Sequence, residues 1–193
     1  MKINARFFAV IISLCLVSIS AKSVAQDWAF KMNLPYLMTT SPNVGGEIAL
    51  DNNFSLELNL GFNPFKFGDN KKFQHYVVWP ELRYWLDDTF KENFFGLHFV
   101  GGIYDLSGWD LGIDKLKNLK THNYKGNALG IGLSYGYFWN INYNLGIELT
   151  AGLGYARFNY DVHTLDDEPI NLGKNHKNYF GPTKAAISLV YVY

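Results

Sequence analysis

The feature that most constrains this chain is an alternation of large apolar residues with small ones, which runs from Trp28 almost to the C-terminus. A period of two places successive side chains on opposite faces of a β-strand, and no useful window shows the 3.6-residue period of a helix. Turn residues divide the pattern into eight segments. The predicted strands lie near residues 28–37, 43–50, 54–63, 73–86, 94–104, 125–140, 145–160 and 181–193.

The connections between these strands alternate in length. Three short ones, "DNN", "DDTFKEN" and "INYN", contain the Asn and Asp residues that suit tight turns. Longer segments lie between them, above all residues 106–125 and 161–179, and only the first connection, "MTTSP", departs from this order by being brief. An even number of strands with short turns at one end and long loops at the other is typical of an outer-membrane β-barrel.

The face opposite the large apolar side chains consists mostly of Gly, Ala, Ser and Asn. On a soluble barrel this face would meet water and would be rich in Lys, Glu, Thr and Gln. Small residues suit instead the interior of an eight-stranded barrel, where inward side chains share a narrow space. The pattern therefore favours a membrane barrel whose apolar face meets lipid, with a soluble secreted β-barrel that binds a small ligand as an alternative.

The first residues have the composition of a secretory signal peptide. Lys2 and Arg6 precede an apolar segment that is too short to span a bilayer, and "SVA" supplies small residues before a cleavage site after Ala25. We therefore predict a cleaved signal peptide over residues 1–25 and a barrel domain over residues 26–193.

Cleavage at this site changes both the charge and the cysteine content. Cys15 is the only cysteine and lies in the signal, so the mature chain has no disulfide and no cysteine metal site. Loss of Lys2, Arg6 and Lys22 from 17 basic residues against 17 acidic ones leaves a net charge of −3. This balance does not indicate a nucleic-acid partner.

Charged residues also occur on the small-residue face, as the stretch "HYVVWPELRYWL" shows with Glu81 and Arg83. Facing lipid, an Arg or Lys would cost about 2–4 kcal/mol at the bilayer midplane, so these residues are predicted to point inward. The predicted lumen network comprises Lys31, Glu47, Glu57, Glu81, Arg83, His98, Glu148 and Lys184. We expect ion pairs that close the lumen rather than a narrow conduction path, because eight strands leave no aqueous channel by themselves.

Pro80 conflicts with its place in a predicted strand. Proline removes one donor from the ladder, and a closed barrel has no edge on which to hide that loss. We therefore expect either a missing ladder bond or a bulge at Pro80. A bulge would make residues before and after it that are an even number apart point to opposite faces of the strand.

Groups that could carry chemistry are few. His98 and Ser134 are the pair that could approach inside the lumen, but a structural histidine is the expectation, so we predict no catalytic residue and no enzyme. The acidic loop "DVHTLDDE" offers oxygen ligands for Ca²⁺, but its spacing matches no metal-binding loop. We predict no metal and no cofactor.

Two further sets of residues suggest contacts with partners. Aromatic and charged residues in the long outer loops form the predicted partner surface: Trp109, Asp110, Lys115, Lys117, Asp166 and Asp167. The C-terminal stretch "AAISLVYVY" has one apolar face and an aromatic last residue, an arrangement that the barrel-insertion machinery reads as a sorting signal. The residues of this predicted insertion signal are Ile187, Leu189, Tyr191 and Tyr193.

The markers "GFNPF", "DNKK", "PELRYWL" and "GLH" lie within a sequence that resembles a Bacteroidetes family, domain of unknown function 3575. Its members look like small OmpA- or OmpX-like outer-membrane barrels, some of them encoded near fimbrial or OmpA-like genes. The resemblance covers nearly all of the mature chain. It implies a barrel fold and a fimbrial or other envelope partner, and it brings no catalytic residues.

The sequence thus predicts an all-β protein: a single eight-stranded antiparallel up-and-down transmembrane β-barrel with short periplasmic turns and longer outer loops. We expect it in the outer membrane of a Gram-negative bacterium, with both termini periplasmic and with membrane lipid, lipopolysaccharide and the insertion machinery as partners. The predicted function is a non-enzymatic barrel with a plugged polar lumen, whose loops serve envelope structure, adhesion or partner binding. The alternative within the membrane class is a lipid-modifying enzyme of the lipid A acyltransferase or deacylase type.

Overall fold

The computed structural model describes residues 28–68, 71–109, 120–165 and 170–193, and the predicted signal peptide lies outside these ranges. One short helix, α1 (Leu34–Met38), follows the first strand. The strands are β1 (Trp28–Asn33), β2 (Asn43–Ala49), β3 (Phe54–Asn63), β4 (Lys72–Trp85), β5 (Glu92–Ser107), β6 (His122–Asn140), β7 (Leu145–Thr164) and β8 (Asn171–Val192).

Each strand pairs antiparallel with its neighbours in sequence, and β8 returns to pair with β1. The sheet therefore closes into an eight-stranded up-and-down barrel, which confirms the predicted all-β fold class. The alternation in sequence becomes an alternation of burial: on β3, Leu56 and Leu58 are exposed, while Glu57 between them is fully buried. Of the described helices, none is long and apolar enough to cross a membrane.

The two ends of the barrel differ. At one end, here called the turn end, residues 50–53, 86–91 and 141–144 connect the strands, and the backbone of Trp28 pairs with that of Tyr193. At the other end, here called the loop end, the connections are residues 34–42, 64–71, 108–121 and 165–170.

The first predicted strand, residues 28–37, was too long. β1 ends at Asn33, and the next five residues form α1 with Pro35 in its first turn. The apolar residues Leu34, Leu37 and Met38 led to the longer prediction, but Pro35 has its φ fixed in the helical range and lacks the N–H that a strand ladder needs. Proline is well tolerated in the first helical turn, so the chain turns there.

The last predicted strand was too short. β8 begins at Asn171 rather than near residue 181, and β7 continues to Thr164. Much of the predicted loop over residues 161–179 is therefore a β-hairpin, with Asp161 opposite Lys174. In the sequence "NLGKNHKNYF", apolar and polar residues do not alternate. Most of these side chains are exposed on both faces of the strand, so the sequence needs no apolar face there.

Pro80 interrupts the ladder between β4 and β5 without a bulge. Pairing stops at Val78 opposite Gly101 and resumes at Glu81 opposite His98 in the same register. Of the two outcomes expected for this position, the missing ladder contact is the one that occurs. Residues on both sides of Pro80 therefore keep their facing.

The pairing of β1 with β8 is here called the seam, and it is short. It comprises five residue pairs, from Ala29 opposite Val192 to Asn33 opposite Ser188, whereas β6 and β7 share nineteen. Between Asn171 and Ile187, β8 has no strand partner on the β1 side within the described part of the chain. The barrel wall is thus complete at the turn end and incomplete beside α1.

Candidate functional site

Buried aromatic side chains close the turn end of the lumen. The ring of Trp85 lies 4.7 Å from that of Phe94 and 5.8 Å from that of Phe90, measured between centroids. Gly136 provides the space for this packing, because a Cβ there would overlap the ring of Phe94. We call this set the aromatic layer: Trp85, Phe90, Phe94 and Phe138.

A layer of charged side chains lies next to the aromatic layer, and the strand register explains how it forms. Glu47 on β2 is opposite Glu57 on β3, Glu57 is opposite Glu81 on β4, and Glu81 is opposite His98 on β5. Like charges directly opposite one another destabilise a sheet, so this row of carboxylates requires cations from elsewhere. Those cations and one more carboxylate complete the charge layer: Lys31, Glu47, Glu57, Glu81, Arg83, His98, Glu148 and Lys184.

Arg83 is the centre of the charge layer. Its guanidinium donates from Nε to Glu81 at 2.9 Å, from Nη1 to Glu47 at 2.8 Å, and from both Nη atoms to Glu148 at 2.9 and 3.1 Å. It also contacts Glu57. The planar guanidinium has five N–H donors, so an arginine can bind several carboxylates at once. The ring of Phe94 lies 4.2 Å from the guanidinium carbon, a cation–π contact.

Three of the carboxylates converge as they would around a metal ion. One oxygen from each of Glu47, Glu57 and Glu148 lies within 4.8 Å of the others. The ammonium of Lys31 occupies this position, at 3.0 Å from Glu57 and 2.5 Å from Glu148, and it also contacts Glu47. The ammonium of Lys31 therefore neutralises these carboxylates at the position where a metal ion would bind.

Lys184 connects the layer to the opposite wall. Its ammonium donates to Glu57 at 2.7 Å and to Glu81 at 2.6 Å. Three basic side chains thus face four carboxylates, which leaves the layer with one excess negative charge when His98 is neutral. All eight residues predicted for the lumen network lie in this layer.

His98 meets a different hydroxyl from the one considered in the sequence. Its Nε2 lies 2.9 Å from Oγ1 of Thr183, whereas Oγ of Ser134 has no hydrogen-bond partner among the described residues. A register shift explains why: Gly152 is opposite Lys184 but Leu153 is opposite Pro182, so Thr183 is an extra residue in β8. Such a bulge re-aims a side chain, and here it directs Thr183 to the imidazole.

A cavity of about 270 Å³ lies beyond the charge layer, beside α1. Glu57, Glu148 and Lys184 line it together with neutral groups from Asn33, Tyr36, Asn59, Trp79 and Thr183. The rings of Tyr36 and Trp79 meet edge to face at 5.7 Å between centroids. The lumen is therefore closed at the turn end and hollow toward the loop end.

Tyr36 is fixed at the mouth of this cavity. Its hydroxyl lies 2.5 Å from Nε2 of His75, and Nδ1 of the same ring lies 3.2 Å from the carbonyl oxygen of Phe73. Since a carbonyl accepts only, Nδ1 carries the proton in the neutral ring and the tyrosine hydroxyl donates to Nε2. Burial raises the pKa of Tyr36 to about 12, which keeps the hydroxyl protonated.

The predicted partner-contact residues lie largely outside the described ranges. These are Asp110, Lys115, Lys117, Asp166 and Asp167. Trp109 is described, and its Nε1 donates to the carbonyl oxygen of Lys72 at 2.9 Å, so this indole packs against the loop end of β4. The residues of the predicted insertion signal share the outer face of the barrel and are exposed: Ile187, Leu189, Tyr191 and Tyr193.

Sequence reasoning missed the aromatic layer and the cavity. Alternation places Phe94 and Phe138 on the inward face, where most residues are small. The sequence alone does not show that glycines on neighbouring strands leave the space that these two rings occupy. Thr183 gave no signal, because a bulge reverses the facing that alternation assigns. Tyr36 was assigned to a strand, although Pro35 beside it indicated a turn of helix.

Comparison with curated proteins and with solved structures gives no significant match. A family model described as "Protein of unknown function (DUF3575)" matches residues 9–193, which is nearly the whole chain. The match includes all eight strands of the barrel and every residue of the charge layer. The chain therefore belongs to the DUF3575 family.

Proposed function

We propose that this protein is a non-enzymatic outer-membrane barrel of a Gram-negative bacterium, with a plugged lumen and an outer end that serves envelope structure, adhesion or partner binding. The observation that carries the proposal is the inverted distribution of polarity. Arg83, Glu57 and Glu81 are at most 1 % exposed, while Leu129, Leu133 and Leu153 on the outside are at least 60 % exposed. Soluble monomers rarely expose apolar patches beyond a few hundred Å².

The geometry of the apolar surface supports a bilayer as its surroundings. β3 has ten residues, close to the roughly 9–11 residues of a transmembrane strand, and its outward side chains from Phe54 to Phe62 are all apolar. Aromatic pairs flank this stretch: Phe54 with Tyr84 at 5.1 Å and Phe62 with Tyr76 at 6.5 Å. Aromatic girdles at both interfaces are a general property of outer-membrane barrels.

The experiment that tests this placement is membrane fractionation combined with a gel of boiled and unboiled samples. We expect the protein in the outer-membrane fraction, with a faster-migrating band when it is not boiled, because a closed barrel resists detergent unfolding. A protein that stays soluble and migrates identically in both samples would refute the membrane proposal and leave the soluble secreted barrel.

The partner surface is proposed at the loop end, with a fimbrial or other envelope protein as the partner. The hairpin of β7 and β8 supports this, because it extends far beyond the roughly 9–11 residues that a bilayer needs. Exchanging the connections 108–121 and 165–170, which contain all six predicted contact residues, for unrelated loops should change the proteins recovered in a crosslinking pull-down. An unchanged partner profile would count against the loops as the contact surface.

A second candidate, lipid modification by acyl transfer, is favoured by one observation. The bulge at Thr183 places a hydroxyl against His98, and a hydroxyl beside an imidazole is how a nucleophile is activated. A carboxylate that would orient the imidazole is poorly placed, since Glu81 lies 3.9 Å from Nδ1 of His98 and already binds Lys184 and Arg83. Mass spectrometry of lipid A from cells with the wild type, with Thr183→Val and without the protein separates the candidates, and identical profiles remove the enzyme.

A further inference from the structure

Two of the residues that line the cavity between the charge layer and α1 each have one buried polar atom without a partner in the described part of the protein. These atoms are Nε1 of Trp79, which can only donate a hydrogen bond, and Oδ1 of Asn33, which can only accept one. Buried polar groups are paired in the great majority of cases, so each unpaired group points to a partner outside the chain.

The ionic groups of the same cavity are already satisfied by one another. Lys184 binds Glu57 and Glu81, and Glu148 binds Arg83, Lys31 and Thr150. An anion would be repelled by the excess negative charge of the layer, and a cation would have to compete with Lys31 and Lys184 for the carboxylates, whereas a neutral ligand would leave the pairs intact. The unmatched groups therefore select a ligand that carries both a donor and an acceptor but no charge.

The other walls of the cavity select the shape of that ligand. Tyr36 and Trp79 contribute aromatic surface, and the side chain of Asn43 holds the backbone of Asn33 through hydrogen bonds of 2.6 and 2.9 Å. A volume of about 270 Å³ is below the usual range for drug-sized ligands, so the site suits a single small ring. Hydroxyl groups donate and accept, and the C–H face of a sugar ring packs on aromatic rings.

The cavity also adjoins the open part of the barrel wall. Pro182 and Ala185 line it and are exposed on the outer surface, beside Asn33 where β1 ends. Among the described residues, one side-chain hydrogen bond crosses between β1 and β8 here, from Asn33 Nδ2 to the carbonyl oxygen of Ala185 at 3.4 Å, and α1 lies beside β8. A ring attached to a lipid tail could therefore enter from the side, while a free ring would enter from the loop end.

We infer that this cavity binds an uncharged, hexose-sized ring rich in hydroxyl groups, either as a free sugar or as the sugar headgroup of a lipid. Trp79 and Asn33 recognise its hydroxyls and the ring of Tyr36 packs against it. This inference goes beyond the proposed function and does not depend on which partner the loops contact.

The test uses the full mature chain folded in a detergent without a sugar headgroup, such as an amine oxide. Methyl hexopyranosides represent free sugars, a short-chain alkyl glucoside below its micelle concentration represents a headgroup, and cyclohexylmethanol is the control ring without the sugar hydroxyls. Saturation-transfer NMR and calorimetry measure binding. We expect saturable binding of a sugar probe in the millimolar range or tighter and none of the control.

Matched variants connect the binding to this cavity. Trp79→Phe keeps the ring but removes the donor, and Asn33→Leu removes the acceptor, so each should weaken binding about two- to tenfold, as expected for one hydrogen bond. Trp139→Phe, which alters an exposed indole on the outer face, should leave the affinity unchanged. The shift between boiled and unboiled samples verifies that each variant folds, and Ala186→Leu, which fills the cavity, replaces any variant that does not.

The outcomes distinguish a free sugar from a lipid headgroup, and they distinguish failure of this inference from failure of the membrane proposal. Binding of the methyl glycosides supports a free sugar, and binding of the alkyl glucoside alone supports entry of a headgroup at the gap beside β8. No saturable binding of any sugar probe by the folded wild type overturns the inference, as does binding that neither cavity variants nor the filled cavity weaken. A soluble protein in the fractionation experiment would instead refute the membrane proposal without affecting this result.

Discussion

The charge layer makes one prediction that can be worked through from the contacts, the replacement of Arg83 with Met. Methionine retains much of the apolar length of the arginine side chain but removes the guanidinium. That group contacts all four carboxylates of the layer, which are each at most 1 % exposed. Arg83→Met therefore removes charge and hydrogen bonds from the layer with little change in volume.

The expected loss follows from the change in balance. In the wild type the layer has one excess negative charge, and in the variant only Lys31 and Lys184 face four carboxylates, so the excess becomes two. Removing one partner of a buried ion pair costs about 3–5 kcal/mol, because the remaining charge has lost its compensation. We expect the free energy of unfolding to fall by about this amount.

The assay is equilibrium urea unfolding in detergent micelles, followed by tryptophan fluorescence and by migration of unboiled samples. Arg157→Met is the matched control, since Arg157 lies on an exposed part of β7 and its change should stay within about 0.5 kcal/mol. The double variant Arg83→Met, Glu148→Gln restores the excess of one charge. It should therefore recover at least about 1 kcal/mol relative to the sum of the single changes.

Two results would refute this reasoning. An Arg83→Met protein as stable as the Arg157→Met control would mean that the guanidinium does not compensate buried carboxylates. Strict additivity in the double variant would mean that Arg83 and Glu148 do not interact. If Arg83→Met fails to fold, Arg83→Lys replaces it. Lysine retains the positive charge but not the planar guanidinium, so this variant should lose less stability than the double variant.

The other predictions concern closure, packing and assembly. The wild type should give no conductance steps in planar lipid bilayers, because the aromatic layer and the charge layer close the lumen, and regular steps would contradict that closure. Trp85→Ala should lower the free energy of unfolding by about 3–5 kcal/mol in the urea assay, since the indole is fully buried and bonded to Ser55, while the exposed Trp139→Ala should cost far less. Deleting Tyr193 should reduce the amount recovered in the outer-membrane fraction, whereas Tyr143→Ala, in an exposed turn, should not; equal recovery of both would refute the insertion signal.

The inward charges could be predicted because a strand has a period of two. Glu57, Glu81 and Glu148 each lie between apolar neighbours that face the other way, so their direction follows from local sequence alone. Pro80 did not disturb this inference, because it removes a contact without adding a residue. The number of strands and the fold class were predictable for the same reason.

The parts that could not be predicted depend on non-local contacts. Nothing in the residues around Thr183 shows that β8 contains an extra residue there, because the shift is defined by the pairing with Gly152 and Leu153 on β7. The first ten residues of β8 form a strand because β7 lies beside them, not because of their own pattern. Which carboxylate meets which cation depends on the stagger of eight strands, and a single sequence does not give that stagger.

The short seam has a consequence for how the barrel forms. β1 and β8 are the most distant strands in sequence, so joining them closes the longest loop and carries the largest entropic cost of any pairing in the barrel. Five residue pairs offset that cost, compared with nineteen between β6 and β7, which are adjacent in sequence. We therefore expect the eight strands to pair with their sequence neighbours first, as an open ribbon, and β1 to join β8 in the slowest step. Lys31 lies on β1 and Glu148 on β7, so their ion pair forms only in that final step and links the two ends of the barrel across the seam.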